Sequence, residues 1–579
     1  MQSRFSQTSD NCPVPYLNKG QRVSILVGFR DYLRENYIGW DYKKQRRGID
    51  GDTIFSKAIM FESSVPAGTS QLERAQSNLD FFDRLRRLVA AFEDSHLVIR
   101  PLQPFPYVSS GLHLFPADGR CFVSGVDERF TRATANKSGQ HNNVDVGDEL
   151  LRVDESRLAD AVAELVPFIS ASSPDAAWAK AACCLTCRNF NFPKVARASY
   201  RLRSAKDQKE YDATFEWHEF SEPERWDARS VLSDRGVLPI GEFLTDIEYE
   251  VSQDDAPHAA RSHASVTPFS ELERITAYFQ SDHLSEKALE TGFWTYNRKE
   301  YAVVRIYEML DELFTESGRI SFRNAFSAFL RHLQQRGLPL IMDARHNRGG
   351  SGELSMFVGS FFCPPNEGRS PCLSTTLISR VEDELLSVLE ESVPALQLSR
   401  AQLREIYSML GADAIHGMPG PLVARGPDLP IPDSRVFLFE NPTVLLISHE
   451  CGSAGDVLAW LLKSNDRVQL MGSRTEGAGF GFRREAGEGR PQFRDNLEAI
   501  RVDVPNQAWG RPATDEMRCW DQYEDYWPLL VENVPVEPDV HFLPREPATN
   551  EPSAEYFRKA ADLIRSTMSS GGHADLRRM

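Results

Sequence analysis

Chemistry in this chain is most legible where two apolar runs each empty into a tight glycine turn. In Val444-Leu445-Leu446-Ile447-Ser448-His449-Glu450-Cys451-Gly452-Ser453-Ala454-Gly455-Asp456-Val457-Leu458-Ala459, a buried strand leads to a turn, and Ser453 stands at the start of a helix. A hydroxyl there is exposed, and the unpaired N–H groups of the helix start suit a developing oxyanion. The plainer reading is an N-cap serine, a common device. A second run, Leu340-Ile341-Met342-Asp343-Ala344-Arg345-His346-Asn347-Arg348-Gly349-Gly350, ends in paired glycines, which let a backbone N–H face a ligand unobstructed. Two such sites can together make a nucleophile and an oxyanion hole. A serine also needs a base within reach of its proton. His449 and His346 lie in these turns, and a third histidine, in Asp94-Ser95-His96, sits between a helical pattern and a short strand.

Other chemistries fit less well. His449-Glu450 begins an HExxH pattern, but position 453 is serine, so the zinc-protease motif fails. No GxxxxGK[ST] phosphate loop occurs, and Gly477-Ala478-Gly479-Phe480-Gly481 does not match GxGxxG. Cys184 and Cys187 form a lone CxxC without a second pair at zinc-ligand spacing, and most of the nine cysteines read as buried small hydrophobes. Neither a metal nor a cofactor is expected. Acids outnumber Lys plus Arg by 83 to 66, a formal charge of −17, which argues against nucleic acid as a general partner. The basic run Lys43-Lys44-Gln45-Arg46-Arg47 reads as a solvated face. The polar start, Met1 to Tyr16, has no apolar signal region, and no run approaches a membrane span. The expectation is a soluble cytoplasmic protein, with export by a non-classical route left open.

These candidate residues need elements to hold them. Residues 1–102 read as a helical N-terminal domain, with apolar residues from Leu72 to Val89 at spacings of three and four, then a strand at Leu97-Val98-Ile99. Residues 103–217 read as β-rich, with strands at Gly111–Phe115 and Cys121–Val126, the segment Gly147–Asp154, a helix from Leu158 to Phe168, and closing strands near Tyr200–Arg203 and Asp212–Trp217. That order is similar to part of a PDZ domain, although no clean GLGF loop is present; PDZ domains add a peptide C-terminus as an edge strand. Residues 218–290 read as a linker or insertion. Residues 291–545 alternate strands and helices, which argues for a layered α/β core, with a helical insertion at 381–410. Residues 546–579 hold one more helix and a polar tail.

Four segments resemble, in order, motifs of the C-terminal-processing (tail-specific) serine peptidases. "LIMDARHNRGG" resembles the family's "LIlDLRnNpGG", "VLLISHECGSAGDVLA" its "VLvnegSASASEIvA", "LMGSRTEGAG" its "lvGepTfGKG", and "VENVPVEPDV" its "vEn.GV.PDi". The resemblance covers about residues 295–545, with weaker support at 90–155. It implies a ClpP/crotonase-like peptidase core, with Ser453 as nucleophile and Ala454 with Gly349 or Gly350 as oxyanion donors. One departure matters: where lysine-using members carry their base, this chain has Ala478, which accepts no proton. The resemblance therefore points to the Ser/His/Glu branch typified by the tricorn core protease and the chlamydial protease-like activity factor. "FEDSHL" resembles that branch's histidine segment, which implies His96 as base; Glu532 falls where its late glutamate stands and would orient the imidazole. Glu537 and Asp539 are its nearby rivals. The implied partners are protein or peptide substrates, with homo-oligomer formation left open. Loss of the lysine motivates an alternative, an inactive member that binds peptides as a scaffold.

Overall fold

The computed structural model describes residues 17–66, 68, 70–101, 107–117, 119–126, 144–220, 267–268, 289–306, 309, 316–347, 349–362, 376–380, 422–425, 438–464, 467–482, 492–495, 500–505, 507–510, 531–543 and 552–569. The insertion expected at 381–410, most of 218–290 and the ends of the chain lie outside the described residues.

The centre of the molecule is a seven-stranded sheet. Its order is Thr267–Pro268, Leu289–Tyr296, Lys299–Ile306, Leu340–Asp343, Thr443–Ile447, Val468–Gly472 and Val540–His541. Leu289–Tyr296 pairs antiparallel with its neighbours on both sides, and from Lys299–Ile306 onward every pairing is parallel. A parallel sheet is covered on both faces, so its strands read as near-continuous apolar runs. Ala302, Val304, Leu340, Met342, Leu445 and Ile447 point to one face and pack under the helices Glu316–Gln335, Gly352–Ser360 and Ala454–Ser464. Tyr301, Val303, Ile341, Val444 and Leu446 point to the other and pack on Tyr556, Phe557, Ala560 and Ile564 of the C-terminal helix Pro552–Ser569. The layered α/β core is thus present.

The β-rich domain is an antiparallel sheet ordered Leu112–Ala117, Arg120–Val126, Glu149–Val153, Arg197–Arg203 and Glu210–Glu216. The helix Leu158–Leu165, extended by a 3-10 turn to Phe168, packs on it, and a further helix, Pro174–Cys183, follows.

The N-terminal region is helical at Lys19–Asn36, Trp40–Arg47, Gly51–Ser64 and Gln71–Ala90. Reciprocal side-chain bonds between Asn18 and Gln21, and between Ser70 and Glu73, fix the starts of the first and last of these helices. The region does not close on itself. Its last strand, Val98–Pro101, pairs antiparallel with Ile500–Asp503, and its apolar cluster takes in Phe480, Phe493, Ile500, Val502 and Val504. Helices and peptidase-region strands share one core.

Candidate active site

The strand Thr443–Ile447 is buried throughout, and the turn after it ends on Ser453. Ser453 has φ of 53°, left-handed backbone, and the helix Ala454–Ser464 begins at the next residue. A non-glycine residue held there costs about 1–3 kcal/mol, and such strain concentrates at functional sites. The result is a sharp strand-to-helix elbow with its serine partly exposed among buried neighbours.

Gly349 explains the second glycine turn. Its φ is 112°, and a Cβ there would lie 2.5 Å from the Cβ of Ser453 and 3.1 Å from the Ala454 nitrogen. Only a glycine lets the two turns approach this closely. Asn347 ties them together: its carbonyl accepts from the Gly452 N–H at 3.0 Å, and its side-chain oxygen accepts from the Gly349 N–H at 2.8 Å. The Gly349 N–H is thereby given to the Asn347 side chain. Among the described residues the Ala454 N–H is given to no protein acceptor, and Gly350, φ 117°, is exposed next to Gly349 in the glycine turn.

His96 follows from the end of the helix Gln71–Ala90. Glu93 takes φ of 50°, and Asp94 then closes a turn by accepting the His96 backbone N–H on Oδ1 at 2.8 Å. The Tyr37 hydroxyl donates to Asp94 Oδ2 at 2.8 Å, so Asp94 is fixed and fully buried. Its Oδ1 stands 4.0 Å from His96 Nδ1, and the ring meets Phe482 edge-on at 5.5 Å.

Glu532 is buried with both carboxylate oxygens engaged. Lys43 donates to Oε1 at 2.8 Å; the N–H groups of Gly479 and Phe480 donate to Oε2 at 2.7 and 3.0 Å. Burial pushes its carboxyl up to about 7, with Lys43 pulling down and Asp94 pushing up. Lys43 corrects the reading of the basic run as a solvated face. Its side chain is 0% exposed and also donates to the Glu93 carbonyl and the Asn533 side chain, whereas Lys44 and Arg47 of the same run are exposed. A lysine three residues after Trp40 on a short helix shares its buried face, a signal that sequence reasoning passed over.

A chain of contacts joins these parts. Asn533 Nδ2 donates to the Glu93 carbonyl beside the His96 turn, and the Asn533 N–H donates to the Gly477 carbonyl. Gly477 and Ala478 in turn donate to Asp456, three residues after Ser453. Burial pushes the Asp456 carboxyl up to about 7, against the hydrogen bonds from Thr475, Ala478 and Gly477. Ala478 is itself buried, with no side-chain group to accept a proton.

The rival residues are placed as well. His346 Nδ1 pairs with Glu450 Oε2 at 2.9 Å. His449 lies nearby, its imidazole pushed down by burial. Asp539 accepts from Lys463 and the Leu470 N–H, and Glu537 pairs with Arg474 at 2.7 Å, so both are committed away from His96. No helix among the described residues is long and apolar enough to cross a membrane.

A layered α/β core with a serine on a strained elbow, beside an antiparallel β-domain, is the arrangement a serine peptidase bearing a PDZ domain would have. Residues 300–485 match the model of peptidase family S41, and residues 108–226 match that of the PDZ domain. The chain therefore carries a peptidase family S41 domain preceded by a PDZ domain. Among solved structures, it resembles a serine-to-alanine CPAF mutant at 16% identity and a TM-score of 0.63, covering 96% of this chain and 98% of that one. It resembles mature CPAF complexed with lactacystin at 14% identity and a TM-score of 0.61, covering 94% and 98%. At such identities the likeness is one of fold. No curated protein matches the chain.

Proposed function

We propose that this protein is an endopeptidase acting on protein substrates through an acyl-enzyme. The Ser453 hydroxyl attacks the scissile carbonyl carbon while His96 accepts its proton; the tetrahedral oxyanion rests on the N–H groups of Ala454 and Gly350. Collapse breaks the C–N bond, and the proton passes from His96 to the leaving amine. Water, deprotonated by His96, then releases the second fragment and restores Ser453.

The observation that carries this reading is the elbow, where Ser453 at φ 53° meets a glycine whose missing side chain makes room for it. The imidazolium would be stabilised by the buried acids behind it. Asp94 is the nearer acid, 4.0 Å from the ring. Glu532 acts from the same network, holding the Gly479–Phe480 backbone that leads to Phe482.

The test is a fluorophosphonate probe on the purified full-length chain, with the labelled residue mapped and peptide hydrolysis followed. Labelling at Ser453, and a loss of several orders of magnitude in turnover for Ser453→Ala with an unchanged circular-dichroism spectrum, is the expected outcome. His96→Ala should be nearly as damaging. Asp94→Asn and Glu532→Gln should be damaging but less complete, because they remove orientation and charge rather than the proton acceptor. Hydrolysis that survives Ser453→Ala removes the nucleophile, and a folded protein neither labelled nor active supports the peptide-binding scaffold.

A further inference from the structure

Through one stretch, Ser170–Lys180, the PDZ domain touches the segments of His96 and Glu532 directly and reaches the Ser453 turn through Glu476. The Ser172 hydroxyl accepts the Ser95 N–H at 3.2 Å and stands 3.2 Å from the Ser95 hydroxyl, next to His96. The Ser172 carbonyl accepts from Asn533 Nδ2 at 2.7 Å, next to Glu532. Lys180 donates to Glu476 Oε1 at 2.6 Å and to the Ser170 carbonyl at 3.3 Å.

The Lys180 contact reaches closest to the nucleophile. Glu476 Oε2 lies against Gly452, in space that a Cβ at 452 would claim, and the Glu476 N–H donates to the Cys451 carbonyl at 2.9 Å. Glu476 therefore supports the last two residues before Ser453, in a turn whose next residue is strained. The Lys180 and Glu476 side chains are 14% and 10% exposed, so the pair is largely removed from solvent. A charge pair so placed is worth more than a surface one, and losing one partner leaves the other uncompensated.

The same stretch is fixed from the PDZ side. The strand Leu112–Ala117, leading out of the glycine turn at Gly111, is at the end of its sheet, the kind of edge to which a peptide is added. The helix Pro174–Cys183 packs against both this strand and the helix Leu158–Leu165. Cys183 Sγ reaches the Leu114 carbonyl at 3.6 Å. Ala176, Ala181 and Ala182 are buried in one cluster with Leu112, Leu114, Leu158 and Val162. Small residues let the helix approach the strand closely, and Ser173 caps its start by accepting the Ala176 N–H at 3.3 Å.

We propose that the helix Pro174–Cys183 is the built-in occupant of the PDZ edge, and that Lys180 and Ser172 on its stretch are positioning residues for the Ser453 turn and the His96 turn. The inference rests on the serine-peptidase reading above. In it the PDZ domain is a fixed wall of the catalytic centre and does not capture a substrate's C-terminal carboxylate.

The experiment uses the full chain and an internally quenched peptide, with kcat and KM measured separately and acylation of Ser453 by a fluorophosphonate timed. Lys180→Met should lower kcat and the acylation rate by roughly tenfold to a hundredfold with KM nearly unchanged, as expected when reacting groups are misplaced but binding is not. Lys180→Arg should restore most of the rate. Ser172→Ala should slow turnover in the same sense. Amidating the peptide's C-terminus should leave KM unchanged. Wild-type kcat in Lys180→Met, or a KM that depends on the free carboxylate, overturns the proposal. If Lys180→Met does not fold, Glu476→Gln decides, since it keeps the shape and removes the charge; an unchanged kcat there also overturns it. Absence of Ser453 labelling in the wild-type chain would instead sink the peptidase reading, so the two failures are distinguishable.

Discussion

At the scale of single residues, the site rests on places where a side chain is missing. Gly349→Ala would put a Cβ 2.5 Å from the Cβ of Ser453 and require alanine to adopt φ of 112°. Both effects push the elbow open, so the variant should lose most of its activity and about 1–3 kcal/mol of stability; assay on a quenched peptide together with urea unfolding checks it. His449 gives a second expectation. Burial pushes its imidazole down, Glu450 pulls it up, His346 pushes it down, and Glu476 and Asp175 pull it up. Among the described residues its buried Nε2 has no hydrogen-bond partner. A histidine depressed in the folded state binds its proton more readily when unfolded, so stability falls as pH drops below about 6.5. His449→Gln should flatten that fall, and unfolding free energies measured from pH 5 to 7 for both proteins would show it; identical slopes would refute the assignment. Ser453 and the glycine turns were legible in the sequence because strand, tight turn and helix follow one another locally. The acid beside His96 was not: Asp94 owes its position to a turn it closes itself and to Tyr37, 57 residues away.

At the scale of elements, the short helix Trp40–Arg47 shows why a charge pattern can mislead. Four of its residues are Lys or Arg, yet one of them, Lys43, goes into the core and meets Glu532 across 489 residues of chain. Periodicity could place the helix but could not reveal so distant a partner. The same limit hid the pairing of Val98–Pro101 with Ile500–Asp503, although the first of these strands was read correctly as a strand. The parallel strands of the core were legible because both of their faces are buried, which leaves continuous apolar runs. Lys43→Met should therefore cost far more than a surface substitution, about 3–5 kcal/mol, because it leaves Glu532 buried without its cation. The loss should depend on pH. Without Lys43 the Glu532 carboxyl rises further above its unfolded value of about 4.3. A raised carboxyl contributes stability that is present below the unfolded pKa and is lost as pH rises through the folded one. The variant should thus be weakest in mildly alkaline solution and recover toward pH 5, a trend that chemical denaturation at three pH values would establish or refute.

At the scale of the whole molecule, the boundary drawn after residue 102 separates parts that the fold joins. Phe29 of the first helix stacks on Phe493 of the peptidase-region sheet at 5.2 Å between ring centres, and Phe55 meets Phe29 edge-on at 5.3 Å. Phe480, two residues before the ring that touches His96, packs edge-on against Tyr37 and Tyr42 and lies 5.2 Å from Lys43 Nζ. The histidine's own turn is held by Tyr37 and by Lys43. A helical region built this way cannot melt without releasing the His96 turn, and the 480–504 segment cannot loosen without exposing the helices. The expectation is one cooperative transition for the helical region and the peptidase core, not two. Phe493→Ala tests it, since a large-to-small change in a shared core costs about 3–5 kcal/mol. Hydrogen exchange followed by mass spectrometry should show protection falling together in Lys19–Asn36, in Gln71–Ala90 and in Thr443–Ile447, with activity lost at the same denaturant concentration as the helical signal. If the mutation loosens only the N-terminal helices while Thr443–Ile447 keeps its protection, the two regions fold independently. His96 would then be a base lent by a separable domain, and its turn should reorder when that domain is added back as a separate chain.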